Sequence, residues 1–206
     1  ATLKQGDPVV VYDSDDREGE ADLIYAAATV TQDAVARLRN DAGGLICTAL
    51  GFEVAESFDL PYLNDSIDHP TSDKLDLGYD ERSSFSLSVN HRDTYTGITD
   101  ADRSRTITAL ADAAAHPNEV DFAAEFRSPG HVSILKAAPG GLSDRHGHTE
   151  MAVELARAAG YAPAGVVCEM LDDETGTALS KENARQYAEE NDFTFLEGSD
   201  VIEQFK

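Results

Sequence analysis

The chain has 206 residues, enough for one well-packed domain, and its hydrophobic fraction of 41% is sufficient for a core. Its 39 acidic side chains outnumber its 16 basic ones, and the net charge of −23 argues against nucleic acid or an anionic membrane as a partner. The acidic residues are spread along the sequence, which is typical of a salt-rich cytoplasm where screening weakens their repulsion. Neither Cys47 nor Cys168 lies in a CxxC pair, as expected for a reducing cytoplasm.

The first half of the chain alternates short strands with helical and loop segments. Strands are predicted at residues 9–12, 23–27 and 45–50. Thr31 can cap a helix that continues to about Asp41, where Gly43 and its neighbouring glycine stop it. Residues 61–82 are polar and rich in turn formers, so they are predicted to form a surface loop.

The second half continues the alternation without a strict βαβ period. Strands are predicted at residues 85–90, 132–138, 164–170 and 193–196, the first with one buried face. Helices are predicted at residues 99–115, 148–159 and 180–191, opened respectively by a Thr99–Asp102 capping box, a glycine turn and Ser180. We therefore expect one α+β domain over residues 1–206, an α/β three-layer arrangement with a mixed twisted sheet flanked by helices.

Three polar clusters could carry chemistry. The first, residues 17–22, places three carboxylates and Arg17 after a strand and around Gly19. Oxygen ligands suit Mg²⁺, although for this cluster taken alone a solvated acidic turn is the favoured explanation in so acidic a chain. The second, residues 91–99, could bind phosphate at a helix start, or it could be only a well-capped loop with a surface ion pair.

The third cluster, residues 145–150, surrounds a glycine turn with arginine, histidine, threonine and glutamate. His131 lies upstream of it, and Glu169 lies at the end of a predicted buried strand, where a carboxylate needs a partner. Cys47 is more typical of an inert core residue than of a nucleophile. Together the clusters favour metal-assisted proton transfer on a phosphorylated small molecule.

Six segments resemble, in order, the motifs of the 3,4-dihydroxy-2-butanone 4-phosphate synthases. They are DSDDREGEADLIYAA, GGLIC, SFSLSVNHRDTYTGITDADRSRTI, SPGHVSILKA, GGLSDRHGHTEMAVELARAAG and PAGVVCEM. The likeness covers nearly the whole chain and resembles the monofunctional form, without a fused GTP cyclohydrolase II. The acidic loop departs from the family pattern, which commonly has Asn and Gly where this chain has Gly19 and Ala21.

The resemblance implies a lyase that converts ribulose 5-phosphate to 3,4-dihydroxy-2-butanone 4-phosphate and formate. It implies Mg²⁺ (or Mn²⁺) held by Glu18 and His148, and a cytoplasmic homodimer with its sites near the subunit interface. Catalytic positions are implied at Glu18, Asp22, His131, His148, Glu150 and Glu169. Substrate-binding positions are implied at Arg17, Asp22, Cys47, Thr96, Arg145, His146, Gly147, Thr149 and Glu169. Arg145 and Thr149 fall on the phosphate side.

Reactive intermediates need protection from water, so we expect residues 14–22 to form a mobile lid. Three alternatives differ in what they predict. Another metal-dependent sugar-phosphate isomerase or aldolase would release no formate. An acidic binding module would not need Glu18 or His148. A nucleotide-binding protein resembling the related fold of carbamoyl-threonyl-adenosine synthesis factors would bind ATP or tRNA, which the negative surface disfavours.

Overall fold

A seven-stranded mixed sheet runs through the centre of the protein, in a computed structural model that describes residues 2–72 and 77–206. The strands are β1 Val9–Tyr12, β2 Ala21–Ala26, β3 Cys47–Leu50, β4 Phe85–His91, β5 Phe126–Lys136, β6 Ala164–Glu169 and β7 Thr194–Glu197. The α-helices are α1 Gln32–Arg37, α2 Phe52–Ser57, α3 Leu63–Ser66, α4 Asp100–Ala115, α5 Phe122–Glu125, α6 His148–Ala158, α7 Lys181–Glu190 and α8 Gly198–Phe205.

The sheet order is β4-β5-β3-β6-β2-β1-β7. Strand β3 runs parallel to β5 and β1 runs parallel to β7, while the other neighbours are antiparallel, so the predicted mixed sheet is confirmed. In the central strands Asp22 pairs with Glu169, and Cys47 pairs with Val167. The start of β2, the start of β3 and the end of β6 therefore meet at one end of the sheet.

Apolar side chains cover both faces of the sheet. On one face, Ile107 of α4 and Val35 of α1 pack into a large buried cluster. On the other face, Met151 of α6 and Val201 of α8 pack into a second cluster with strand residues such as Ile24. Each such buried side chain contributes roughly 1.5–3 kcal/mol, so both helical layers are tightly attached and the three-layer prediction is confirmed.

Three predicted helix starts are confirmed. The side-chain oxygens of Thr31, Thr99 and Ser180 each accept a hydrogen bond from the backbone amide three residues further on. The reciprocal half of the predicted capping box is wrong, because the Asp102 carboxylate accepts from the Gly97 amide at 2.9 Å instead. Gly97 has φ +88, and this left-handed turn brings its N–H towards the helix start.

Other boundaries differ from expectation. Regular helix α1 ends at Arg37, and a π-helical turn over Leu38–Ala42 carries the chain to Gly43. The strand predicted from residue 132 begins at Phe126, because the backbone before it already pairs with the end of β4. The predicted single buried face of β4 is also incomplete, since Phe85 is 41% exposed on this edge strand.

Short helices account for the remaining misses. Helices α2, α5 and α8 were not predicted, and within the predicted loop of residues 61–82 the chain forms the single turn α3. Residues 73–76 of that loop lie outside the described residues. The predicted strand at residues 23–27 begins earlier, at Ala21, so part of the expected lid belongs to the sheet. In the two described ranges, no helix is long and apolar enough to cross a membrane.

Candidate active site

A cavity of about 330 Å³ opens at the end of the sheet where β2 and β3 begin and β6 ends. Eight of the predicted site residues line it: Arg17, Glu18, Asp22, Cys47, Arg145, His148, Thr149 and Glu169. They come from the acidic loop, three strands, the turn before α6 and the first turn of α6. The structure thus brings together residues that are far apart in the sequence.

His148 is buried at the first position of α6 with a fixed ring orientation. Its Nε2 donates to the carbonyl oxygen of Val11 at 3.2 Å, so its Nδ1 faces Glu18 Oε2 at 3.5 Å and Asp22 Oδ1 at 3.6 Å. Burial alone would lower the pKa of His148, but these two carboxylates outweigh it and raise the pKa to about 9. The imidazole is therefore held beside concentrated negative charge.

Asp22 is the most enclosed carboxylate of the cavity. Burial raises its pKa to about 8 although His148 opposes the shift. Its Oδ1 has no hydrogen-bond partner among the described residues. Glu18 behaves differently, because a hydrogen bond to His148 lowers its pKa against the effect of burial. The pKa values of two neighbouring carboxylates, Asp22 and Glu18, are therefore shifted in opposite directions, as is common in functional sites.

The acidic loop is organised by Asp13, which was not among the predicted site residues. Its two carboxylate oxygens accept hydrogen bonds from the amides of Glu18 and Glu20, each at 3.1 Å. Between them Gly19 has φ +66, a left-handed conformation that glycine adopts readily because it has no Cβ. Asp13 thereby holds the Glu18 side chain next to His148.

These side chains fit a divalent cation. One ligand atom from each of Asp13, Glu18 and His148 lies within 4.8 Å of the others. Two carboxylates and one imidazole suit Mg²⁺ or Mn²⁺. A metal-binding histidine normally donates its second ring N–H to a carbonyl or carboxylate, and Val11 provides that partner for His148. The unpartnered Oδ1 of Asp22 supports the same assignment.

Two arginines at the cavity are joined by a single carboxylate oxygen. Asp80 Oδ2 accepts from Arg17 Nη2 at 2.9 Å and from Arg145 Nε at 2.6 Å. Arg145 also donates from Nη1 to Glu150 Oε2 at 2.9 Å. The positive charge of both arginines is therefore largely offset within the protein.

Three residues of the third cluster do not line the cavity. Glu150 is 1% exposed, and its second carboxylate oxygen accepts from the Ala138 amide at 2.9 Å, so it orients Arg145. Gly147 leaves space for that pair, because a Cβ there would collide with the Arg145 guanidinium. His146 turns towards Lys206, with 3.3 Å between Nε2 and Nζ. We therefore interpret Glu150 and Gly147 as supports.

Glu169 and Cys47 form the floor of the cavity near Asp22. Glu169 Oε2 accepts a hydrogen bond from the Leu45 amide at 2.9 Å. This amide is the partner that a carboxylate at the end of a buried strand needs. Gly44 lets the carboxylate fold back, because a Cβ there would contact the Glu169 side chain and backbone. Burial raises the pKa of the Cys47 thiol well above its usual range, so the thiol stays protonated.

The remaining predicted residues, His131 and Thr96, do not line the cavity of their own chain. Both are exposed, and Asn90 joins them: its Oδ1 accepts from the His131 amide at 2.7 Å, and its Nδ2 donates to the Thr96 carbonyl at 3.3 Å. Within one chain, residues 91–99 thus form a well-capped loop with a surface ion pair, one of the two interpretations that the sequence left open. The ion pair joins Asp93 to Arg105 at 2.7 Å.

The predicted surface loop and the two residues after it contribute side chains that the sequence interpretation did not select. Tyr79 and Arg82 of the loop, followed by Ser83 and Ser84, line the cavity next to Phe85 at the start of β4. The sequence feature that could have indicated these residues is an arginine followed by two serines just before a strand. The surrounding segment is otherwise dominated by acidic and turn residues.

Comparison with known proteins agrees with this geometry. The family model described as 3,4-dihydroxy-2-butanone 4-phosphate synthase matches residues 1–204. The chain is 48% identical to the protein of that name from Archaeoglobus fulgidus, over 99% of this chain and 91% of the relative. It is 44% identical to the one from Methanothermobacter thermautotrophicus, over 98% of this chain and 92% of that protein.

Solved structures show the same likeness. A 3,4-dihydroxy-2-butanone 4-phosphate synthase crystallised in complex with two magnesium ions superimposes with a TM-score of 0.84 at 33% identity, covering 98% of this chain and 92% of that one. The Candida albicans synthase gives a TM-score of 0.81 at 32% identity, covering 100% of this chain and 95% of that one.

The fold is a three-layer arrangement around a mixed sheet. Its cavity combines carboxylates and a histidine that suit a divalent metal ion with neighbouring arginines. The chain belongs to the 3,4-dihydroxy-2-butanone 4-phosphate synthase family, which converts ribulose 5-phosphate to 3,4-dihydroxy-2-butanone 4-phosphate in riboflavin biosynthesis.

Proposed function

We propose that this chain is a magnesium-dependent lyase that releases formate from ribulose 5-phosphate, with Mn²⁺ able to replace Mg²⁺. The observation that carries the proposal is the grouping of Asp13, Glu18 and His148 ligand atoms within 4.8 Å of one another, since Glu18 and His148 line a cavity that arginines also line. Glu18 and His148 would hold the metal, with Asp13 close by. A bound divalent ion would stabilise negative charge that develops on the ketone and hydroxyl oxygens of the substrate.

The chain's own residues have separable tasks in this reaction. Asp22 lines the cavity with an Oδ1 that accepts no hydrogen bond within the described residues, and it is our candidate to take the proton beside the ketone. Glu169, fixed by the Leu45 amide, is placed to orient substrate hydroxyls. The protonated Cys47 thiol contributes a small, weakly polar wall. Residues 14–20 would close over the substrate and exclude water.

We further propose a homodimer in which the partner's His131 and the partner's Thr96 complete the cavity. Both positions are exposed and lie outside the cavity of their own chain. Large apolar side chains are exposed beside each region: Tyr95 (92%) and Ile98 near Thr96, and Tyr79 and Phe85 at the cavity. Exposed apolar patches of this kind mark association surfaces.

Subunit complementation tests the shared site. Glu18→Gln and His131→Ala are each expected to be inactive alone. If the partner supplies His131, mixed dimers contain one site with both changes and one site with neither, so mixing restores part of the activity. No recovery in verified mixed dimers would place His131 in the same chain's site or outside the reaction. Sedimentation at equilibrium measures the dimer directly.

We also propose that the protein works in a salt-rich cytoplasm. A net charge of −23 on 206 residues creates strong self-repulsion at low ionic strength. At molar salt the screening length falls to roughly 3 Å, so the repulsion is largely removed.

The decisive experiment measures formate from ribulose 5-phosphate in high KCl, with Mg²⁺, with Mn²⁺ and with EDTA. Metal-dependent formate would support the proposal, and Glu18→Gln and His148→Ala should abolish it. Folded, metal-loaded protein that consumes ribulose 5-phosphate without formate would instead point to an isomerase or aldolase. Absence of any turnover would overturn the proposal.

A further inference from the structure

One buried amide side chain contacts both residues that we propose to complete the partner's cavity. Asn90 lies in β4 and is 4% exposed. Its Oδ1 accepts a hydrogen bond from the His131 amide at 2.7 Å, and its Nδ2 donates to the Thr96 carbonyl at 3.3 Å. A backbone N–H only donates and a carbonyl only accepts, so these two contacts determine which end of the Asn90 side chain is oxygen and which is nitrogen.

The imidazole ring of His131 also contacts this side chain. Its Nδ1 lies 3.2 Å from Asn90 Nδ2 and 3.3 Å from Asn90 Oδ1. Nδ1 can therefore either accept a hydrogen bond from Nδ2 or donate one to Oδ1. The first arrangement requires the histidine tautomer with its proton on Nε2, and the second requires the tautomer with its proton on Nδ1.

The hydrogen bonds of the buried amide favour the first arrangement. Asn90 Nδ2 carries two hydrogens, and one of them is donated to the Thr96 carbonyl. Within residues 2–72 and 77–206, the one other acceptor that Nδ2 contacts is His131 Nδ1. A proton on Nδ1 would leave the second Nδ2 hydrogen buried without an acceptor, which is costly. With Nδ1 unprotonated, both Nδ2 hydrogens have acceptors and Oδ1 keeps the His131 amide.

The surrounding backbone holds Asn90 in place. Gly97 has φ +88, and a Cβ at that position would collide with the Asn90 carboxamide, so glycine is needed for the close approach. Arg127 at the start of β5 donates from Nη2 to the Tyr95 carbonyl at 3.0 Å. The backbone on both sides of Thr96 is therefore held, and its position relative to His131 is set by Asn90.

We propose that Asn90 is a positioning residue that holds His131 as the tautomer with its proton on Nε2. The outer edge of the exposed, neutral imidazole is then a hydrogen-bond donor and not a base. Across the proposed subunit contact, that edge would stabilise negative charge on a substrate oxygen. This inference rests on the shared site of the proposed function, and it leaves the removal of a proton to carboxylates such as Asp22.

Nitrogen-15 NMR of the His131 ring tests the tautomer without any substrate. The protein is labelled at its six histidines, and the His131→Ala variant identifies the signals of this ring. Spectra are recorded at a pH roughly two units above the ordinary histidine pKa of about 6.5, where an ordinary imidazole is neutral. We expect a proton on Nε2 and none on Nδ1. A proton on Nδ1, or an equal mixture of both tautomers, would overturn the inference.

Asn90→Asp should reverse the tautomer, because a carboxylate only accepts and would take a hydrogen bond from a protonated Nδ1. We expect kcat for formate release to fall roughly 100-fold, as for the loss of one donor to a developing oxyanion. KM should change less than about threefold, because the loss falls mainly on the transition state. Asn183→Asp, the same change at an exposed position of α7, is the matched control and should alter neither the spectrum nor the kinetics.

Thermal melts show whether Asn90→Asp folds, and if it does not, the spectrum of the unchanged protein still decides. A folded Asn90→Asp protein in which Nδ1 of His131 stays unprotonated would overturn the inference. A reversed tautomer with unchanged kcat would also overturn it, because the proton on Nε2 would then have no part in the reaction. The expected tautomer in a protein that makes no formate would uphold the positioning by Asn90 and reject only the proposed reaction.

Discussion

His148 donates its Nε2 hydrogen to the carbonyl oxygen of Val11 across 3.2 Å. This bond links the first residue of α6 to the backbone of β1 and leaves Nδ1 directed at Glu18 and Asp22. The ring orientation is thus determined by the sheet rather than by the acidic loop. Loop movement can therefore change the position of Glu18 without turning the imidazole.

Asp13→Asn should weaken metal binding. The carboxylate holds the Glu18 and Glu20 amides, and losing its charge and one acceptor loosens the turn that presents Glu18. Mutation of a group that supports a metal ligand in this way typically lowers metal affinity by about 10–100-fold. Calorimetric titration with Mn²⁺ measures the effect, and the exposed Asp7→Asn is the control. Equal affinity in Asp13→Asn and the unchanged protein would contradict it.

The metal-free protein should lose stability as pH rises from about 6 to 9. The pKa of His148 is raised to about 9 and that of Asp22 to about 8, so the folded state binds more protons than the unfolded state in this window. The stability that such groups contribute is fully present at pH values below their pKa in the unfolded state. It is lost as the pH rises through their pKa in the folded state. Urea unfolding at several pH values checks this.

If His148 holds the metal as proposed, a bound ion would take the place of its Nδ1 proton. Saturating Mn²⁺ should therefore flatten that pH dependence, and metal binding should release protons. Titration in two buffers with different ionisation enthalpies measures the proton release. A stability profile with the same slope with and without metal would count against this interpretation.

Glu150→Ala should destabilise the protein and impair catalysis. The change leaves the Ala138 amide and the Arg145 Nη1 group without hydrogen-bond acceptors in a buried position, at a cost of roughly 2–4 kcal/mol in the free energy of unfolding. Urea unfolding measures the loss. Glu154→Ala, which removes an exposed pairing with Arg157, should cost less than about 1 kcal/mol. Similar losses in both variants would show that Glu150 is not a specific support.

Stability should rise with salt. Raising KCl from low to molar concentration screens the repulsion among 39 acidic side chains. We expect the melting temperature to rise by roughly 5 °C or more, equivalent to ~1–2 kcal/mol for a chain of this size. Potassium glutamate distinguishes screening from chloride binding. Melts that coincide at low and molar salt would exclude a charge-based adaptation.

Local patterns in the sequence predicted the parts of the fold that depend on local physics. Thr31, Thr99 and Ser180 cap helices because their side chains reach the nearby amides. The start of β5 was missed because Pro129 and Gly130 resemble a turn, whereas pairing with β4 keeps the chain extended. Tertiary pairing of this kind leaves no local pattern.

The site shows the same division. Residues within dense polar motifs, such as Glu18, Arg145 and His148, were predicted to be functional and line the cavity. Asp80 was missed because its role arises from hydrogen bonds with Arg17 and Arg145, which are distant in sequence. Glu150 was assigned a catalytic position, and that assignment stays a prediction; its burial and its hydrogen bonds with Arg145 and Ala138 lead us to interpret it as a support.

The pairing of Asp22 with Glu169 joins the second strand of the chain to the sixth. This pairing can form only after nearly the whole polypeptide has folded back on itself, a slow type of contact in folding. We therefore expect a divalent ion to bind only after the site has formed. Its influence should appear as slower unfolding, while the refolding rate stays the same with or without the ion.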